Sequence, residues 1–369
     1  VPEPELDRSH PDFIPVAKPS IGDLERRYVN QALDACQLSA GPFVERFERE
    51  FAAAHGRKFG VACNSGTTAL HLALVCADVH PGDVVAVPDH TMIAVANAAL
   101  YCGAKLAVLG SDDFVGNVDG ESLFSLAEHV KAKAAIAVHT YAQPVQNLQW
   151  RTSGLIEDCA EAHYVPGVGQ HGRFACFSFY ANKTITCGEG GMVLCDSEND
   201  AERLRSLRAH AFTPGAHFNH RELAFGYRMT ELQGALGCAQ HERRDEFIAA
   251  RMNLCTAYLD ATNHGGLSKN WHQPLWAGRL LWVYPLLCHD HATRDALRFR
   301  LADRHIETRC YFTPLSQQPH VKPHIVAAVK TDESQALAAR GMYLPLFADM
   351  TEQQVRRVVQ ALYEFDKLN

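Results

Sequence analysis

The chain has 369 residues, 47% of them hydrophobic and 21% charged, with a formal net charge of -7. That length exceeds one ordinary core and predicts a large domain plus a smaller one. The acidic balance gives no electrostatic case for nucleic acid, and no apolar run has the length of a membrane-spanning helix. The start, Val1-Pro2-Glu3-Pro4-Glu5, lacks the basic and apolar stretches of a secretory signal, so a cytoplasmic protein is expected. Twelve cysteines are scattered without CxxC spacing. Most sit in apolar strings such as Val75-Cys76-Ala77. They read as small buried hydrophobes of a reducing compartment, and no metal site is expected.

In chain order, residues 1–12 form a loose lead-in, and 23–35 and 44–55 read as helices around a turn at 38–42. A short strand at 61–63 is broken by Asn64-Ser65-Gly66-Thr67, and a helix follows over 68–77. Strands are expected at 83–87, 105–109, 134–138 and 154–158, with helices at 92–102 and 122–130 between them. Strands at 174–179 and 191–195 flank a turn, and 200–209 is a helix. This β-α-β rhythm predicts an α/β fold with a largely parallel sheet covered on both faces. One helical stretch runs from 230 to about 261, with a break at 263–266. The tail carries a strand at 280–287, a helix at 291–304, a strand at 307–312 and a last helix at 352–363. The expected division is a large domain over 1–245 and a small C-terminal α+β domain over 246–369.

Three segments carry chemistry. Asn64-Ser65-Gly66-Thr67-Thr68 joins a strand end to a helix start, where unpaired N–H groups suit a phosphate. Alone, a plain helix cap is the commoner reading. Asp158 falls at the carboxyl end of an apolar strand, the edge at which open α/β sheets bind ligands. A carboxylate there can keep a ring nitrogen protonated, though a helix cap is equally common. Lys183 lies between the aromatic strand Phe177-Ser178-Phe179 and the turn Gly188-Glu189-Gly190-Gly191. A lone lysine is usually solvated. An amine desolvated in an apolar cleft loses its proton and becomes a nucleophile toward carbonyl carbon.

In this order, these segments resemble the DegT/DnrJ family of sugar aminotransferases, within the fold-type-I pyridoxal-phosphate enzymes. The resemblance runs from Ile14-Pro15-Val16-Ala17-Lys18-Pro19 through Val87-Pro88-Asp89-His90-Thr91-Met92 and Tyr227-Arg228-Met229-Thr230 to Tyr343-Leu344-Pro345. It implies pyridoxal 5'-phosphate held covalently by Lys183, which then moves the proton, with Asp158 on the ring nitrogen. It implies phosphate contacts from Ser65, Gly66, Thr67 and Ser178, Met92 on the ring face, and Glu161 near the phenolic oxygen, sharing a proton. Arg228 and Arg309 are implied as partners of substrate carboxylate or diphosphate. Glu161 and the Glu307-Thr308-Arg309 segment are most similar to the perosamine-synthase branch. That branch aminates C4 of GDP-4-keto-6-deoxymannose in deoxyamino-sugar and polysaccharide biosynthesis. The implied amino donor is L-glutamate, and the implied assembly is a homodimer with shared active sites.

Three features depart from the family pattern. Gly226 stands where relatives carry an Asn that reaches the neighbouring subunit's cofactor phosphate. The stretch 144–154 is short, and Gly172-Arg173 replaces Gly-Asp. Alternatives are a sugar dehydratase of the same fold, in which His replaces the lysine, and a non-catalytic protein that binds the cofactor. A nicotinamide oxidoreductase would rest on Gly167-Val168-Gly169-Gln170-His171-Gly172. That glycine pattern precedes a strand instead of opening a helix, so it reads as a loop. Asn182-Lys183-Thr184 is not read as a glycosylation site, and Cys288-His289-Asp290-His291 reads as a solvated turn rather than a metal site.

Overall fold

The computed structural model describes residues 3–368 except 112, 149–153, 214, 264–267, 269 and 274–278. Residues 264–266 of the expected break and residues 149–153 of the short 144–154 stretch therefore lie outside the described residues. Helices α1 (Asp23–Asp34) and α2 (Pro42–Ala54) lead to β1 (Phe59–Cys63) and α3 (Gly66–Cys76). The alternation continues through β2 (Val84–Pro88), α4 (Ala94–Tyr101), β3 (Lys105–Leu109), α5 (Gly120–His129), β4 (Ala134–Val138) and β5 (Leu155–Asp158). Next come β6 (Phe174–Ser178), β7 (Gly191–Cys195), α6 (Glu198–Leu207) and a hairpin of β8 (Phe212–Thr213) and β9 (Ala216–His220). Then follow α7 (Glu231–Glu242), α8 (Arg244–Asn263), β10 (Trp271–His272), β11 (Tyr284–Cys288), α9 (His291–Ala302) and β12 (Arg309–Cys310). The chain ends through β13 (Ile325–Val329), α10 (Thr331–Arg340), β14 (Gly341–Leu344) and α11 (Glu352–Leu368).

Among the described residues, eight strands form one mixed sheet in the order β1-β7-β6-β5-β4-β2-β3-β13. Strand β7 runs antiparallel to both neighbours, and the other pairings are parallel. Both faces are covered, which is why the central strands are continuous apolar runs. Along β4, Ile136 and Val138 face the cluster shared with α3, α4 and α6, while Ala135 and Ala137 face α5. On the first-strand side of the sheet, Phe47 and Phe51 of α2 pack against Phe177 and Phe179. A second, antiparallel sheet has the order β10-β11-β14-β12.

Several elements differ from expectation. The single helix over 230–261 is two, because the chain leaves helical geometry at Arg243. The Arg243 guanidinium is drawn 2.8 Å from Glu25 of α1 and 2.9 Å from Glu246. The strands expected at 280–287 and 307–312 shrink to β11 and β12. The hairpin β8–β9 and the elements β13, α10 and β14 were not expected. Strand β13 comes from the C-terminal part of the chain yet pairs with β3, at the edge of the large sheet. In return, Ile14 from the lead-in bridges Ile306 beside the small sheet. All twelve cysteines are free thiols, ten of them buried. The Cys288–His291 turn starts α9, with Asp290 accepting the Thr293 N–H at 2.8 Å.

The glycine-patterned loop has a structural use. Glu157 of β5 is fully buried, and its carboxylate accepts N–H groups from Gly169 (2.9 Å), His171 (2.7 Å) and Gly172 (2.6 Å). His139 adds a contact at 3.0 Å through Nε2, while its Nδ1 accepts the Val145 N–H at 3.1 Å. The ring proton therefore sits on Nε2, facing the carboxylate. His139, Glu157 and Cys159 approach within 4.8 Å of one another, but the donors on Glu157 make it the buried anion of a hydrogen-bond network. Arg173 leaves this loop to pair with Asp200 at 2.7 Å, which gives the departure at Gly172-Arg173 a local role.

Burial alone would raise the Glu157 pKa, but the His139 contact and the loop N–H groups hold it down, at about 2. A depressed acid contributes stability above its unfolded pKa and loses it as pH falls. Glu157→Gln is expected to lower stability by about 3 kcal/mol at neutral pH. The gap to the parent should close as pH drops from about 4.5 toward about 2, as read by denaturant melts across that range.

Candidate active site

The carboxyl ends of β4, β5 and β6 and the start of α3 converge on a cavity of about 400 Å³. That volume is within the range of small-ligand sites. Its walls include Ser65, Gly66, Thr67, Met92, Asp158, Glu161, Ser178 and Lys183, so residues from four separate segments meet there. Arg309 lines a neighbouring cavity instead. Arg228 is exposed and lines neither.

Ser65 caps α3, its hydroxyl accepting the Thr68 N–H at 3.2 Å. The first intrahelical bond runs from the Ala69 N–H to the Ser65 carbonyl (3.0 Å), which leaves Gly66 and Thr67 ahead of the ladder. A Cβ on Gly66 would meet the Ser178 Cβ at 2.7 Å, so only glycine fits between the helix start and β6. Bare backbone, a hydroxyl and a helix N-terminus together form an anion seat.

Asp158 ends β5, buried, with Oδ1 accepting the Ala160 N–H at 3.0 Å. Burial raises its pKa, against the pull of that N–H and of Lys183. Lys183 follows β6 in a turn held by its own N–H to Tyr180 (2.9 Å). Its Nζ lies 3.7 Å from Glu161 Oε1 and 4.0 Å from the Trp282 ring centre. Burial lowers the amine's pKa, although Glu161 and Asp158 oppose it. Glu161 moves the other way, its pKa raised by burial to about 7 despite Lys183 and the Tyr141 N–H that reaches Oε2 at 2.8 Å. Burial thus drives both partners toward their neutral forms. A neutral amine is the form that attacks an aldehyde carbon.

Pyridoxal phosphate fits these residues. The helix start accepts a phosphate, a buried carboxylate stands where a ring nitrogen needs one, and a desolvated amine faces the same space. Sequence reading missed Trp282, Phe312 and Tyr343, which close the cavity from the C-terminal part of the chain. The Trp282 indole N–H donates to the Asn182 carbonyl at 2.8 Å and so ties β11's approach to the lysine turn. Tyr343 lies in a segment that carries the family resemblance, but nothing local assigned it, Phe312 or Trp282 to the lysine, from which each is about a hundred residues or more away in sequence. Gly226 packs against His210, whose ring lies 3.1 Å from where a Cβ would stand. A larger residue at 226 would displace that ring.

Residues 19–363 match the DegT/DnrJ/EryC1/StrS aminotransferase family. The GDP-perosamine synthase of Caulobacter vibrioides is 37% identical over 366 residues, covering 95% of this chain and 97% of that protein. The GDP-perosamine synthase of Vibrio cholerae is 33% identical, with 96% of this chain and 99% of that protein covered. Among solved structures, Helicobacter pylori PseC, an aminotransferase involved in the biosynthesis of pseudoaminic acid, superposes with a TM-score of 0.85 at 20% identity. That superposition covers 97% of this chain and 100% of PseC. The chain belongs to the DegT/DnrJ/EryC1/StrS aminotransferase family. It is an enzyme, a sugar aminotransferase whose cofactor is pyridoxal phosphate.

The raised Glu161 pKa has a measurable sign. Below about 4.5 the acid is protonated in both the folded and unfolded chain; between about 4.5 and 7 only the unfolded chain releases the proton. Stability is therefore lost as pH rises through that window. In cofactor-free protein, Glu161→Gln is expected to melt higher relative to the parent in mildly alkaline buffer than in acid. Parallel melting curves for the two proteins would remove the assignment.

Proposed function

We propose that the enzyme transfers the amino group of L-glutamate to C4 of GDP-4-keto-6-deoxymannose, forming GDP-perosamine and 2-oxoglutarate. The observation that carries this reading is the convergence of Lys183, Asp158, Glu161 and the α3 start on one cavity, in a chain 37% identical to a GDP-perosamine synthase. Pyridoxal phosphate supplies an aldehyde that carries nitrogen and a ring that accepts electrons. Gly66, Thr67, Ser65 and Ser178 hold its phosphate. Asp158 would keep the ring nitrogen protonated, and Met92, which borders the cavity, would cover the ring. Lys183, whose amine opens on this cavity, would hold the cofactor through its aldehyde and, as the free amine, would carry the proton to and from the donor's Cα. Glu161 holds a proton beside the ring's phenolic oxygen, where an ionised carboxylate would repel.

Lys183 favours transamination over the dehydratase reading, in which a His takes that position. We further propose a homodimer with shared active sites, in a cytoplasmic setting. Phe218 and Leu223 are 79% and 85% exposed, a surface that a second copy would cover. Among the described residues, no helix is long and apolar enough to cross a membrane. The working division of the chain is a cofactor-holding unit over 1–245 and a smaller unit over 246–369. Arg228 remains a candidate to meet a carboxylate or diphosphate of the substrate.

Purified enzyme given L-glutamate and GDP-4-keto-6-deoxymannose is expected to release 2-oxoglutarate and an aminated sugar nucleotide. Lys183→Ala should lose at least about three orders of magnitude in turnover. It should also lose the visible absorbance of the lysine-bound cofactor. Parent-like turnover in that variant would exclude the mechanism, and glutamate consumption without sugar amination would exclude the substrate.

A further inference from the structure

The aromatic wall over Lys183 is held from behind by one helix. Arg251 of α8 is buried, and its Nη1 donates to the carbonyls of Trp282 at 3.0 Å and Leu346 at 3.2 Å. About two turns further along the helix, the Tyr258 hydroxyl donates to the Pro345 carbonyl at 2.9 Å. Helix α8 thus grips both segments that bring rings to the cavity: the approach to β11, with Trp282, and the exit from β14, with Tyr343. Arg251 does not border the cofactor cavity. It borders a small space behind the lysine turn, together with Lys183, Thr184 and Thr186.

A guanidinium is a costly side chain for this place. No carboxylate is paired with it among the described residues, and its Nε has no hydrogen-bond partner there. Burial pushes its pKa down to about 10, which still leaves it charged at neutral pH. An uncompensated buried cation costs stability that an apolar side chain of similar volume would not. What the guanidinium adds is donors that an apolar side chain lacks, aimed at two backbone carbonyls. Trp282 is where this grip meets the chemistry. Its carbonyl is held by Arg251, its indole N–H donates to the Asn182 carbonyl at 2.8 Å, and its ring centre lies 4.0 Å from Lys183 Nζ.

We propose that Arg251 is a positioning residue, whose grip on the Trp282 carbonyl seats the indole on Lys183 and so fixes how far that amine is desolvated. The proposal rests on the reading of Lys183 as the lysine that holds the cofactor. Arg251 acts through Trp282, and its part is to hold the ring in place.

The test follows the visible absorbance of the lysine-bound cofactor in holoenzyme as pH is raised. The proteins compared are the parent, Arg251→Met, Arg251→Lys, Trp282→Ala and the double variant Arg251→Met/Trp282→Ala. A loosened indole exposes the lysine nitrogen to water and favours its protonated form. The midpoint in Arg251→Met is therefore expected to rise by about one pH unit, a tenfold change in proton affinity. Trp282→Ala should move it the same way, and Arg251→Lys, which keeps the donors, should return it toward the parent. The double variant should match Trp282→Ala, because a residue that acts through another adds nothing once the other is gone. A lower melting temperature in Arg251→Met with an unmoved midpoint, or shifts that add in the double variant, overturns the proposal. If Arg251→Met does not fold, Arg251→Gln takes its place under the same criteria. Tryptophan emission separates this proposal from the lysine reading: Arg251→Met should shift it to the red, and should not in the Trp282→Ala background. Should Lys183→Ala keep the visible absorbance, the lysine reading falls, while the emission still decides whether Arg251 seats Trp282.

Discussion

Desolvation of Lys183 is the constraint on which the site depends. The same dryness that lowers the amine's pKa raises those of Glu161 and Asp158. Moving the three groups into bulk water would favour their charged forms and weaken the electrostatic contacts among them. What covers the lysine is largely aromatic and comes from afar. Trp282 approaches the amine, and Phe312 and Tyr343 close the wall. The chemistry of a lysine in the first half of the chain is thus set by how the second half folds over it.

Asp158 has a different support. It is the residue after Glu157, and Glu157 is gripped by three backbone N–H groups of the 167–172 loop and by His139. Successive strand residues point to opposite faces. One face of the strand end is therefore anchored in the protein while the other is offered to the ligand. A glycine pattern that in another setting cradles a dinucleotide here cradles a side-chain carboxylate. The same property serves both: bare backbone N–H groups can converge on an anion.

The large sheet was legible because its strands are short apolar runs punctuated by glycine and proline, and because helices alternate with them. Lys183 and Asp158 were legible because each sits in a local segment whose neighbours constrain it. Trp282 and Tyr343 were not, since their relation to Lys183 exists only in three dimensions. Neither was the ion pair between Arg8 and Glu307, which spans 299 residues. Strand β13 escaped for another reason. It is an edge strand, mostly exposed or half-buried, and so lacks the continuous apolar signal of the central strands. The interruption at Arg243 escaped because a helical pattern continues on both sides, and the ion pair of Arg243 to α1 is a contact that no local propensity records.

The exchange of edges between the two parts of the chain bears on how the enzyme can be divided. Strand β13 completes the large sheet from the C-terminal side, while Ile14 joins Ile306 from the N-terminal side. A cut near residue 246 would give two fragments, each missing a strand or bridge that belongs to it by position in space. The N-terminal piece would lack the edge strand of the large sheet, while the C-terminal piece would keep the four strands of the small sheet and lose the Ile14 bridge beside it. The polypeptide is in this respect laced rather than jointed.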